Sequence, residues 1–233
     1  MIRHGVVAVV LSVGALGTTA VAELTIDVGR FSNTHPVPSY SYVGSWDEYV
    51  CAIEVDGCTV FDINVAGIMS NAGAQYLRSI SIRDFGNNAY GELSPGADID
   101  LIEFIGLPEG VELDATYTGP TVDHVDENTA ELLARVDELD AFTGANQRDD
   151  DVYVSLGHLG ELNVMFGDIN GSDDGGGIDP NSSGLSGCGF HIRIAEAGSH
   201  ERFTLHLETS NIPAPAAAPV LAALLGASRR RRR

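Results

Sequence analysis

The chain contains no lysine: its 13 basic residues are all arginines, and five of them close the sequence as Arg229, Arg230, Arg231, Arg232 and Arg233. Between the two ends, seven arginines stand against 33 acidic residues, so that stretch carries a charge of −26. Phosphate backbones and anionic headgroups are repelled by such a surface, which excludes nucleic-acid binding. Cysteine is nearly absent, with only Cys51, Cys58 and Cys188. An oxidising compartment permits one disulfide and leaves one thiol over, and the spacing is not a zinc pattern. No Gly-x-Ser-x-Gly elbow is present, and Gly175-Gly176-Gly177 precedes no helical pattern, so an acyl-transfer nucleophile and a phosphate loop have no support.

The two ends carry the clearest signals. Arg3 and His4 precede 14 apolar or small residues, Gly5 to Thr18, and Ala20 and Ala22 occupy the positions that signal peptidase reads, with cleavage expected before Glu23. At the other end Pro213, Ala214 and Pro215 open another 14-residue apolar stretch, Ala214 to Ala227, before the arginine cluster. As a helix it would reach about 21 Å, with its prolines in the first turns. Basic residues beside an apolar segment stay on the cytoplasmic side, which puts the body on the far side. This tail resembles the PEP-CTERM sorting signal of bacterial envelope proteins: a Pro-x-Pro motif, here with Ala214 at its centre, an apolar helix and terminal arginines. The resemblance covers Ile212 to Arg233. It implies recognition and removal by an exosortase-like membrane protease, and later glycan attachment or release.

The expected organisation is a signal peptide over 1–22, one acidic domain over 23–211 and a sorting or anchor segment over 212–233. The domain reads as all-β. Apolar residues alternate in Phe61, Ile63, Val65, in Phe190, Ile192, Ile194, and in Phe203, Leu205, Leu207. Strands are expected over 49–55, 58–65, 77–84, 99–105, 111–117, 152–156, 162–166, 190–194 and 203–207. Asp56-Gly57 predicts a tight hairpin placing Val55 opposite Cys58 and Cys51 opposite Asp62. The sulfurs of Cys51 and Cys58 are then too far apart to bond. Many short strands with Gly- and Pro-rich turns predict an antiparallel, jelly-roll-like β-sandwich. One amphipathic helix is expected over 128–142, opened by Asn128 and Glu131 as a capping box and covering an open end of the sandwich. The ends add a signal helix and an apolar tail helix.

Candidate chemistry is sparse. Asp168, Asn170, Ser172, Asp174 and Asp179 place oxygen donors at positions 1, 3, 5, 7 and 12 of a glycine-rich loop, a partial calcium pattern with Asp173 where the loop glycine belongs. Asp149-Asp150-Asp151 could join it. Asp98 and Asp100 alternate with Ile99 and Leu101, so both are expected to face solvent, and acids are too numerous to single out a glycosidase pair. His200 and His206 are six apart, which is no metalloprotease helix. His191 and His206 are expected on outward faces of neighbouring strands. Trp46, Tyr40, Tyr42 and Tyr49 form the aromatic cluster, either a sugar platform or a packed edge strand. The sequence therefore points to an exported, non-enzymatic protein of the cell envelope or extracellular matrix, with no catalytic residues and no resident cofactor. Its expected partners are signal peptidase, an exosortase-like protease, the membrane through its tail, and extracellular polysaccharide. The alternative is a calcium-assisted carbohydrate-binding module; a secreted hydrolase is a third class.

Overall fold

Alternating apolar side chains turn about half of the described residues into strands. The computed structural model describes residues 23–32, 46–55, 58–86, 96–141, 152–167, 177–180, 189–197 and 201–210. Its ten strands are β1 (Glu23–Phe31), β2 (Val50–Val55), β3 (Cys58–Asn64), β4 (Tyr76–Asp84), β5 (Asp98–Ile105), β6 (Leu113–Thr118), β7 (Val154–Ser155), β8 (Glu161–Phe166), β9 (His191–Glu196) and β10 (Phe203–Ser210). Short helices α1 (Val65–Ala72), α2 (Val122–Val125) and α3 (Thr129–Ala134) complete the described elements, with a 3₁₀ turn at Asp47–Tyr49. The protein is mostly β, in two antiparallel five-stranded sheets, ordered β1-β10-β4-β8-β6 and β2-β3-β9-β5-β7.

The pairings nest along the sequence: β1 with β10, β3 with β9, β4 with β8 and β5 with β7. Inward residues of both sheets share one core. At one end Phe203 stacks on Phe31 at 5.2 Å, and Phe61 meets the two edge-on at 5.8 and 5.1 Å. Ile80, Ile82, Leu162 and Val164 meet Ile63, Ile102, Ile192 and Ile194 in the same cluster. A smaller cluster joins Cys58, Val60, Leu101 and Ala195 to Ala141 and Tyr153.

The β2–β3 hairpin has the register that Asp56-Gly57 predicts, Val55 opposite Cys58 and Cys51 opposite Asp62. Two elements stand outside the expected set. β1 is not among the expected strands, although Leu24, Ile26 and Val28 alternate; its period of two breaks only at the register shift between Asp27 and Gly29. α1 follows β3 directly: the Asn64 side chain caps it by accepting from Gly67 N–H at 2.8 Å, and Gly73, at φ 71°, ends it. The helix expected over 128–142 is corrected to the six residues of α3. Its capping box is present, Asn128 accepting from Ala130 and Glu131 while Glu131 returns a bond to Asn128 N–H. The last turn tightens to i→i+3 bonds, Arg135 N–H to Leu132 O at 3.3 Å and Val136 N–H to Leu133 O at 3.2 Å, and the Val136 carbonyl then accepts from Ile102 N–H of β5 at 2.7 Å. α3 lies along β6 rather than over an open end.

Candidate functional site

The described chain begins and ends side by side. Glu23 is the partner of Ser210 and Leu24 of Thr209, on adjacent strands. Thr209 is fully buried and its hydroxyl donates to Leu24 O at 3.0 Å. On the other flank of β10, Thr209 faces Leu77 and Ser210 faces Tyr76. Leu77 then exchanges two backbone hydrogen bonds of 2.8 Å with Ile178. Ile178 thus adds a bridge to the sheet beside the last residues of β10. Gly177, at φ 70°, is required here, since a Cβ would lie 2.4 Å from Leu77 O. The corner is further tied by the contact of His206 Nδ1 with the Asp27 carboxylate between β10 and β1, and by Ser79 Oγ donating to Glu208 at 2.9 Å.

Of the expected processing residues, Glu23 opens β1. Ala20 and Ala22 lie outside the described residues, as do Pro213, Ala214, Pro215 and the arginines 229–233. So do Asp168, Asn170, Ser172 and Asp174; Asp179 is half-buried, next to the Leu77–Ile178 bridge. Among the described residues no group of three or more His, Cys, Asp or Glu side chains is placed to hold a metal ion, and no helix is long and apolar enough to cross a membrane.

Two expectations about side chains are corrected, and for Trp46 the structure favours the packed alternative. Asp98 and Asp100 are fully buried rather than solvent-facing. A register shift between Ile99 and Leu101 makes Asp100 an extra residue in β5, and the chain around Ala141 covers it. Asp100 accepts from Ala141 N–H at 3.1 Å and from the Cys58 thiol at 3.6 Å. Burial pushes its carboxyl above the usual range, against these hydrogen bonds. His191 and His206 stand on different sheets, β9 and β10, each paired with an aspartate: His191 with Asp62 at 2.7 Å, His206 with Asp27. Trp46 is buried and its indole N–H donates to Asp27 O at 3.0 Å. It seals β1 instead of offering a sugar platform; Tyr40 and Tyr42 lie outside the described residues.

Two networks escape sequence reasoning because their members are far apart in the chain. On the outer side of the second sheet, Asp62 binds His191 Nδ1 and Arg193 Nε, and Arg193 reaches Glu103 at 3.0 Å. Burial would raise Asp62, but the hydrogen bonds from His191 and Arg193 outweigh it and hold the carboxyl below its usual range. Beside β7, His124 Nε2 accepts from Ser155 N–H at 3.1 Å, so Nδ1 carries the proton donated to Glu127 at 3.0 Å. Glu127 is held in turn by Arg135 at 2.6 Å. The types Ser, His and Glu meet here, yet the imidazole lone pair is spent on the backbone. It is not poised on Ser155 Oγ, which finds no partner among the described residues. The geometry positions a strand; it does not activate a nucleophile.

No protein-family model matches the chain, and neither a curated protein nor a solved structure is similar to it.

Proposed function

We propose that this is an exported, non-enzymatic protein of the cell envelope or extracellular matrix, sorted and processed through its C-terminal tail. The observation that carries the reading is the tail itself: Pro213-Ala214-Pro215, an apolar stretch and five arginines, opposite in sequence to a leader with an Ala-x-Ala site. What supports it in the fold is that the described strands β1 and β10 fall within the expected body, residues 23–211. The body is read as a jelly-roll β-sandwich: the order β1-β10-β4-β8 set against β3-β9-β5-β7, with nested pairings, is that of two Greek keys, and β2 and β6 are additional edge strands.

The test is mass spectrometry of the protein from intact cells after labelling with a membrane-impermeant reagent. A labelled chain starting at Glu23 and lacking the arginine cluster is expected. A chain shielded until lysis and uncut at both ends defeats the proposal.

The strand order also favours the second reading, a calcium-assisted carbohydrate-binding module, since lectin domains use this architecture. A calcium site on the loop ending at Asp179 would stabilise only the folded state, so millimolar calcium should raise the melting midpoint. An unchanged midpoint rejects that reading.

A further inference from the structure

We infer that pairing of β1 with β10 closes the leader junction to proteolysis, so the leader is removed only before the body folds; this rests on the export reading above. A peptidase takes its substrate as an extended segment running through the scissile bond, using the backbone groups that a strand ladder also needs. Past the junction between Ala22 and Glu23, the next residues are Glu23, Leu24 and Thr25. All three belong to β1, opposite Ser210, Thr209 and Glu208. No spacer separates the expected cut from the ladder. The Leu24 carbonyl is further held by the Thr209 hydroxyl, from a side chain with no exposure. Backbone committed to β10 is not free to enter a peptidase groove, and cleavage then tracks the fraction of molecules in which this edge has opened.

The strand order supplies the time window. β1 is the first strand and β10 the last, so β1 cannot complete its ladder until residue 210 has emerged. Throughout export the leader junction is open. Once the last strand arrives, an uncut leader is locked in place.

The experiment uses the full precursor, residues 1–233, in detergent micelles with purified signal peptidase. Peptidase is added either at the moment of dilution from denaturant or after refolding is complete. Cleavage before Glu23 should be at least about tenfold slower after refolding. A second precursor carries a spacer of about eight Gly and Ser residues between Ala22 and Glu23, and should be cut equally fast at both times. Equal rates for the natural precursor overturn the inference while leaving the leader reading intact. Continued protection of the spacer variant also overturns it, since the ladder is then not the cause. No cleavage in any arm overturns the leader reading and this inference with it.

Discussion

Buried and bridged carboxylates set the acid response of this lysine-free chain, and two of them respond with opposite sign. Asp100 is raised above its unfolded value, so its charged form weakens the fold at neutral pH, and the penalty fades as pH falls through the raised value. Asp100→Asn should therefore raise the melting midpoint at pH 7. The gain should vanish once pH falls below the ordinary carboxylate range, where the native side chain is also neutral. Asp62 is depressed. Its contribution is present above the ordinary aspartate value of about 3.9 and is lost as pH falls through the lower folded value. Asp62→Asn should lower stability at pH 7, and the difference from the parent protein should shrink toward pH 2. Urea titrations across this range read both effects. A parallel response of the two variants would contradict the assignments.

At the level of elements, the edges of the sheets explain several otherwise idle polar residues. β6 ends the first sheet, and Thr129 of α3 occupies its free side: the hydroxyl oxygen accepts from Ala115 N–H at 3.2 Å, and its hydrogen is shared by Ala115 O and the Asp114 carboxylate. Edge β7 is covered by His124 and edge β1 by Trp46. Thr129→Val keeps the shape and removes these bonds. It should cost about 1–2 kcal/mol and increase self-association at high concentration, seen by denaturation and light scattering. Such contacts were hidden in the sequence. Alternation, clearest in β8 and β10, together with turn residues marks nine of the ten described strands, and Asp56-Gly57 sets the hairpin register through turn chemistry alone. β1 was legible in the alternation of Leu24, Ile26 and Val28 yet is not among the expected strands, whereas the burial of Asp98 and Asp100 is not legible, because a bulge and a covering segment override simple alternation. The capping box of α3 was legible, being local; its early end, marked by i→i+3 bonds and the Val136 carbonyl's bond to β5, was not.

For the whole molecule, the two sheets are joined by shared aromatic packing. Phe203 is fully buried between Phe31 of its own sheet and Phe61 of the other. Phe203→Ala should cost about 3–5 kcal/mol, a large part of the roughly 5–15 kcal/mol typical of a domain. Urea unfolding by Trp46 fluorescence measures it, and a loss under 1 kcal/mol, on the order of a surface change, would show that the junction is not shared in this way. The leader and tail readings rest on local composition, whereas the meeting of Glu23 and Ser210 at one corner depends on tertiary pairing. That corner also has a mechanical meaning. Any pull on the chain beyond Ser210 enters β10, which lies inside the sheet between β1 and β4. Force must then rupture two hydrogen-bonded seams at once, instead of peeling a border strand away, so the fold resists traction best along the direction in which its own tail would draw it.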